Sequence, residues 1–222
     1  GTHLPDVTIV STLAPEDEVV GYAVTRAHHA DIGGMTPGSM PAGAAEIYQE
    51  GLRLPGVQLR SGGELDEDLL AVILANVRNR TERQADLRAQ LAAHDRAEDR
   101  LEELIADHGR GQVERAFDAI IDYSHARMTD ELAAVPDGTY DARDVLEGDG
   151  VTDADIPIEV SITVEGTDVH VDFAGTAEQC AGNMNAPLAV AKSAVYFVVR
   201  SITDPEIPPN HGSYVDIDVS AP

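Results

Sequence analysis

The sequence predicts an α+β fold in which a helical region separates two β-rich parts. β-Branched and apolar runs occupy both ends of the 222-residue chain, whereas the middle shows the three- and four-residue spacing of helices. Gly and Pro interrupt the β-type runs, which favours mixed or antiparallel sheets. We expect one continuous fragment of a larger chain. Its three parts are 1–60, which is β-rich, 61–135, which forms an antiparallel helical pair, and 136–222, which is β-rich with one packed helix.

The first part begins with a predicted β-hairpin. Residues 6–12 and 18–26 are rich in Val, Ile and Thr, and residues 14–17 between them form a turn. Residues 32–43 are rich in Gly and Pro, a composition typical of an ordered loop, and loops of this length are often functional. The remaining elements predicted here are a short helix at 44–49 and an extended segment at 52–60.

Three helices are predicted in the second part. The first follows acids at 66–68, which are placed to cap a helix and to interact with its dipole. The second runs from Thr81, its expected N-cap, to His108 and stops at Gly109. The third starts near Gln112. Because only a short Gly-containing link joins the second and third helices, we expect them to pack antiparallel.

The third part returns to strands. Alternating apolar residues at 156–164 and 168–173, on either side of a Glu-Gly-Thr turn, predict a second hairpin. Residues 186–202 are apolar enough for a buried helix, with Pro187 well placed in its first turn. Further strands are predicted at 139–146 and 214–219.

The charge of the chain is strongly negative. Forty Asp and Glu against 15 Lys and Arg give a formal net charge of −25. A surface this acidic repels phosphate groups, so we expect no nucleic-acid binding. The acids are spread along the whole chain and are not gathered in one block. They therefore indicate the hydrated surface of a halophilic protein more than a patch for a cationic partner.

The sequence patterns that mark targeting and redox environment predict a cytoplasmic protein. No run approaches the ~20 apolar residues of a membrane span, and no signal-peptide pattern is present. Cys180 is the single cysteine, which excludes an intrachain disulfide and fits a reducing compartment. We therefore expect a cytoplasmic protein that does not bind membranes.

Side chains that can bind metals cluster at both ends of the first predicted hairpin. His3 and Asp6 lie at its start, and His28, His29 and Asp31 follow its second strand. Two strands joined by a turn return to the same end of a sheet, so the two clusters can meet in space. Imidazoles and carboxylates are ligands of divalent transition metals. Because neighbours in an extended segment point to opposite faces, we expect one ion held by His3, Asp6 and one of the adjacent histidines.

An alternative without metal binding is that the same side chains are polar residues at the ends of loops, where they cap turns. Elsewhere, His94 lies on an apolar helix stripe and is predicted to be a satisfied interior histidine. Asp86 and Gln90 are one turn apart on that helix and are predicted to lie on a solvated face. The Gly-containing stretches 175–176 and 182–183 lack the spacing and the lysine of a phosphate-binding loop, so we expect that this chain does not bind ATP.

Several longer motifs occur in order along essentially the whole chain. They are Gly1–Asp6, Ala27–Gly34, Pro37–Pro41, Glu46–Gly51, Asp86–Gln90, Asp122–Ser124, Pro136–Tyr140, Asp172–Thr176 and Asp204–Pro208. With them the chain resembles the hydantoinase B family. That family includes N-methylhydantoinase B subunits, the matching half of 5-oxoprolinase, and related subunits of acetone and acetophenone carboxylases. One departure is Ala85, where the family usually has glycine before the Asp-Leu-x-Ala-Gln motif.

The resemblance implies a partner, a substrate class and a site. Family members work with a hydantoinase A-type subunit that uses ATP, and they act on cyclic amides or ketones through phosphorylated intermediates. The carboxylase branch holds a metal, known to be manganese, through the motifs that correspond here to His3, Asp6 and His28. The resemblance also implies a further acidic ligand before the first motif, outside this chain, and a family chain that is longer at both ends.

Three functions are candidates for a chain with these residues and this resemblance. The first is the B-type subunit of an ATP-dependent hydantoinase or 5-oxoprolinase, in an oligomer with its A-type partner, which hydrolyses a small cyclic amide. It would use a divalent metal (Mn, Zn or Fe) on His3, Asp6 and His28. His29 and Asp31 would be its catalytic candidates, either orienting ligands or transferring protons. The alternatives are a carboxylase subunit acting on a ketone, and an assembly module without its own activity.

Overall fold

The computed structural model describes residues 3–222 and confirms the α+β class. These residues form four helices and eight strands, and β-rich segments flank the helical region as predicted. The strands are β1 (Asp6–Leu13), β2 (Gly21–His28), β3 (Arg60–Ser61), β4 (Glu64–Leu65), β5 (Gly138–Glu147), β6 (Asp155–Glu165), β7 (Asp168–Asp172) and β8 (Ile217–Ser220). The helices are α1 (Glu67–Ala75), α2 (Arg80–His108), α3 (Arg110–Leu132) and α4 (Leu188–Ile202).

The chain divides into two compact units, Gly1–Asp107 and His108–Pro222. This boundary falls at the junction of α2 and α3, so the two long helices belong to different units. The antiparallel packing of those helices stays a prediction. Among the described residues, no helix is long and apolar enough to cross a membrane.

The first unit contains the predicted hairpin. β1 and β2 pair antiparallel, with Asp6 opposite His28 at the open end and Leu13 opposite Gly21 near the turn. Alternate side chains of β1 point inward, and Val7 joins a buried apolar cluster with residues of α1 and α2. The buried members of that cluster are Val7, Ile32, Leu70, Ile73, Val77 and Leu87. Burial of such side chains stabilises the fold by roughly 1.5–3 kcal/mol each relative to exposure.

The ends of α1 and α2 follow local capping chemistry. Asp66 accepts a hydrogen bond from the Leu69 N–H at 2.8 Å and caps α1, as predicted. Thr81 does not cap α2, because that helix already begins at Arg80, after Asn79 in a left-handed conformation with φ of 53°. Gly109, with φ of 79°, separates α2 from α3 at the predicted stop.

The second unit is a mixed four-stranded sheet covered by helices. Its strand order is β5-β6-β7-β8, with β7 and β8 parallel and the other pairs antiparallel. Met128 and Leu132 of α3, and Val195 and Val199 of α4, lie in one buried cluster with Val171 and other valines of the sheet. The predicted strands of this part are confirmed except for the last. It starts at Ile217, because residues 211–214 form a 3-10 turn.

The helix predicted between the hairpin and β3 is not formed as expected. The short helix expected at 44–49 is only a 3-10 turn at Ile47–Gln49, where Gln49 accepts hydrogen bonds from the N–H groups of Ala45 and Glu46. The segment 52–60, which was predicted to be extended, pairs in a sheet only at Arg60, in β3. Pro55 and Gly56 interrupt it, and both residues weaken a strand.

Candidate functional site

The open end of the hairpin brings two imidazoles together. The ring centres of His3 and His28, here called the imidazole pair, are 4.8 Å apart with a tilt of 57°. His28 is the last residue of β2, and its side chain lies on the exposed face. Asp6 faces His28 in the strand register. The structure therefore brings His3, Asp6 and His28 to one end of the sheet, from positions up to 25 residues apart in sequence.

The imidazole pair fits a transition metal in donor type, and its spacing allows both rings to approach one ion. Residues 3–222 contain no group of three or more His, Cys, Asp or Glu side chains placed to hold a metal ion. The described residues thus provide a pair of nitrogen donors, with Asp6 nearby in the register. A complete coordination shell needs a donor from outside them or a movement of the Asp6 carboxylate.

His29 lies on the opposite face from His28, as the alternation of an extended segment requires. Its side chain is 1% exposed, and its backbone N–H donates to the Pro5 carbonyl at 2.8 Å. Its ring Nε2 is 3.0 Å from Gln90 Oε1. Both contacts tie the chain immediately after His28 to the start of β1 and to α2.

Gln90 was predicted on a solvated face, and that prediction is wrong. The side chain is 6% exposed, and its Nε2 donates to the Val7 carbonyl at 3.1 Å and to Thr25 Oγ1 at 3.3 Å. One amide thereby contacts β1, β2 and His29. A sequence signal was available, because Gln90 lies three residues after Leu87 and four before His94, on the buried stripe of α2.

His94 is the satisfied interior histidine that the sequence predicted. Its Nδ1 is 2.7 Å from Ser11 Oγ, its Nε2 is 2.8 Å from Thr25 Oγ1, and the residue is 2% exposed. Burial lowers the pKa of His94, and the Arg60 guanidinium lowers it further. The side chain therefore acts as a neutral link between α2 and both strands.

Asp31 organises the loop that follows the hairpin. Its Oδ1 accepts from the backbone N–H groups of Gly33 and Arg78, both at 2.9 Å, and its Oδ2 accepts from the Gly38 N–H at 3.0 Å and from Arg78 Nη1 at 2.9 Å. Burial alone would raise the pKa of Asp31, but these hydrogen bonds outweigh it and lower the pKa to about 2. The carboxylate is ionised at neutral pH, and its oxygens are occupied.

Further hydrogen bonds hold other residues of the segment 29–39, here called the Asp31 loop. Ser39 Oγ donates to the Gly33 carbonyl and accepts from the Ile32 N–H, both at 2.7 Å. Gly33 has φ of 91°, and a Cβ there would lie 2.5 Å from the Asn76 carbonyl oxygen. Arg78 Nη2 also donates to the Gly34 carbonyl at 3.0 Å. Sequence reasoning missed Arg78, since nothing in its local pattern marks a contact 47 residues away.

A groove of about 550 Å³ runs beside β1 in the same unit. Its volume lies within the usual range of small-molecule cavities, and its walls include apolar side chains such as Ile9, Leu54 and Leu91. The imidazole pair is not part of its lining. The groove and the imidazole pair are therefore separate features of this unit.

The sequence and the fold of this chain are both similar to those of known proteins. The sequence is 33% identical over 222 residues to an uncharacterised protein of Methanocaldococcus jannaschii. The aligned region covers 100% of this chain and 39% of that protein. The crystal structure of an ATP-dependent caprolactamase from Pseudomonas jessenii matches with a TM-score of 0.88 at 30% identity, over 99% of this chain and 38% of that one.

An acetone carboxylase structure matches with the same TM-score of 0.88 at 19% identity, over 97% of this chain and 30% of that one, which shows a shared fold alone. The chain thus spans about two fifths of the length of its first relative. The family described as Hydantoinase B/oxoprolinase matches residues 1–222. The resemblance seen in the motifs is confirmed, and the chain belongs to the hydantoinase B/oxoprolinase family.

Proposed function

We propose that this chain is part of the B-type component of an ATP-dependent cyclic-amide hydrolase of the hydantoinase or 5-oxoprolinase class. Family membership supports the class, and the relative from Pseudomonas jessenii is itself an ATP-dependent caprolactamase. The observation that carries the proposal is the imidazole pair, whose ring centres are 4.8 Å apart beside Asp6. An A-type subunit would bind ATP, since the sequence has no phosphate-binding loop.

The chemistry follows from the stability of the substrate. A hydantoin or lactam resists water because resonance stabilises its amide, and phosphorylation of the amide oxygen by the partner would give a better electrophile. His3, Asp6 and His28 are the residues that would hold a divalent ion (Mn, Zn or Fe), with a further donor from outside the described residues. Such an ion, when bound, supplies Lewis-acid polarisation of a substrate oxygen or of water.

His29 and Asp31 support the site by orientation in this proposal. The His29 ring is buried against Gln90, and four hydrogen bonds occupy the Asp31 carboxylate. A group that transfers protons needs access to the substrate and a pKa near the working pH. The contacts of both residues therefore favour the orienting role over the proton-transfer role.

A second candidate function is an assembly module without its own metal chemistry. The observation that favours it is that residues 3–222 contain no group of three or more His, Cys, Asp or Glu side chains placed to hold a metal ion. Under this proposal His3 and His28 are polar residues at a hairpin end, and the site for the reaction lies elsewhere in the complex.

Metal analysis combined with an activity assay tests both candidates. We would purify the native polypeptide that carries this sequence, with its A-type partner, and measure Mn, Zn and Fe per complex. ATP-dependent turnover would be measured with hydantoins, 5-oxoproline, caprolactam and acetone. We expect close to one metal per B-type chain and turnover of a cyclic amide, with both lost in His3→Ala and His28→Ala. His108→Ala, at an exposed histidine at the end of α2, is the matched control.

The outcomes separate the functions. No metal above background in both the isolated chain and the complex would support the assembly module and exclude the metal site. Carboxylation of acetone with no turnover of any cyclic amide would place the protein with the carboxylases. Loss of metal in His108→Ala as well would show that the histidine effect is not specific to the hairpin end.

A further inference from the structure

We infer that Gln90 is a positioning residue for the imidazole pair, through its hydrogen bonds to His29 and to the two strands of the hairpin. The inference rests on the proposed function and deepens it, because it names what holds the metal-binding end in place. Gln90 itself contacts neither His3 nor His28. It acts through Val7, Thr25 and His29, each of which it hydrogen-bonds.

The orientation of the Gln90 amide follows from its partners. The Val7 carbonyl can only accept a hydrogen bond, so the amide NH2 group must face it, at 3.1 Å. Oε1 then faces His29 Nε2 at 3.0 Å, and because Oε1 can only accept, His29 Nε2 must donate. In the neutral ring of His29 the hydrogen therefore sits on Nε2, and Nδ1 carries the lone pair.

The three contacts surround the end of the hairpin that carries the imidazole pair. Val7 is next to Asp6 on β1, Thr25 lies three residues before His28 on β2, and His29 directly follows it. Gln90 thus contacts both strands beside the Asp6–His28 pair, through one backbone carbonyl on β1 and through the side chains of Thr25 and His29. The Pro5 carbonyl, which accepts from the His29 N–H at 2.8 Å, closes the same end from the other direction.

This arrangement predicts a specific cost when the amide is lost. Side chains that hydrogen-bond directly to metal ligands typically contribute 10–100-fold to metal affinity, and we expect an effect of that order from Gln90, which acts through the residues beside the ligands. Gln90 is the one side chain of α2 that bonds to the hairpin on both strands and also to the residue after His28. Its removal should let the two imidazoles separate without unfolding the unit, because the apolar cluster and the His94 contacts remain.

Three variants test the inference. Gln90→Met keeps the length and the helix propensity of the side chain but removes every hydrogen bond. Gln90→Glu keeps the acceptor toward His29 and loses the donors to Val7 and Thr25. Gln84→Met makes the first substitution at a half-buried glutamine of the same helix and is the matched control. The readouts are the ring 15N shifts of His29 without metal, and the affinities for Zn²⁺ and Mn²⁺ by calorimetry.

We expect His29 to be an Nε2–H tautomer in the unmodified protein and in Gln84→Met, and a mixture of tautomers in Gln90→Met. Metal affinity should fall about 10–100-fold in both Gln90 variants and stay within twofold in the control. Gln90→Glu should keep the Nε2–H tautomer, which separates the tautomer effect from the strand effect. Far-UV circular dichroism checks that each variant is folded.

Several results would overturn the inference. An Nδ1–H tautomer of His29 in the unmodified protein contradicts the deduced orientation of the amide, and this measurement needs no variant to fold. Unchanged metal affinity in a folded Gln90→Met contradicts the positioning role. An unmodified protein that binds neither Zn²⁺ nor Mn²⁺ refutes the metal site of the proposed function instead. In that case the tautomer of His29, and the hydrogen exchange of the Val7 and Thr25 backbone amides in Gln90→Met compared with the unmodified protein, still decide whether Gln90 holds the strands.

Discussion

His28 and His29 are neighbours in the chain, yet the first side chain lies on the exposed face of the hairpin and the second is 1% exposed. The ring of His28 faces the ring of His3, whereas the ring of His29 is bonded to Gln90 on α2. The same contrast separates the imidazole pair from the Asp31 loop. In the loop every polar group discussed above is hydrogen-bonded within the protein. The comparison shows that of two adjacent histidines, one can support the fold while the other belongs to the candidate metal site.

The largest test of this contrast is removal of the Asp31 carboxylate. Asp31→Ala leaves three backbone N–H groups without their acceptor and takes the ion-pair partner from Arg78. We expect the free energy of unfolding of the first unit to fall by about 3–4 kcal/mol. Urea denaturation followed by circular dichroism measures the change. Asp99→Ala, at an exposed acid of α2, should stay within about 0.5 kcal/mol, and an equal loss there would remove the distinction.

A direct comparison of the two neighbouring histidines comes next. His29→Ala leaves a cavity and an unpaired Gln90 oxygen in the interior, so we expect a loss of about 2–3 kcal/mol in unfolding free energy. His28→Ala removes an exposed ring and should change stability by no more than about 0.5 kcal/mol. Thermal or chemical denaturation of both variants gives the two numbers. Similar losses at the two positions would show that the faces of the hairpin do not differ as described.

The smallest effect is a pH dependence that belongs to Asp31 alone. The pKa of Asp31 is lowered from 3.8 to about 2 in the folded protein. Because the folded value is the lower one, the carboxylate stabilises the protein fully above about pH 5, and this contribution disappears as the pH falls through 4 toward 2. We expect the difference in unfolding free energy between the unmodified protein and Asp31→Asn to shrink by about 2 kcal/mol over that range. A pH-independent difference would contradict the assigned ionisation.

Local patterns in the sequence predicted most of the secondary structure, because alternation and capping are local properties. The first hairpin, the cap at Asp66, the stop at Gly109 and the interior position of His94 all follow from residues close in sequence. Gln90 was assigned to the wrong environment, because its partners lie 61–83 residues earlier and an amide alone does not indicate burial.

The candidate site was only partly predictable for the same reason. The return of a hairpin to one end of a sheet was enough to expect His3 near His28, and their ring centres are 4.8 Å apart. The carboxylate of Asp31 is of a type that can bind metals, which made the residue a candidate from sequence. Its hydrogen bonds come instead from Arg78 and from glycines, whose positions no local pattern specifies. The assignment of Asp6 as a third ligand stays a prediction.

The contacts of Gln90 and His94 lie about one helical turn apart on α2, and both reach the hairpin. A slip of one strand by a single residue would reverse its inner and outer faces. In β2 such a slip would bury the ring of His28 and expose the ring of His29, so a histidine would still point outward. The contacts of α2 with both strands therefore favour the observed register of β1 and β2. We therefore expect a change in the length of the turn at residues 14–20 to be tolerated as long as those two contacts maintain the register of β1 and β2.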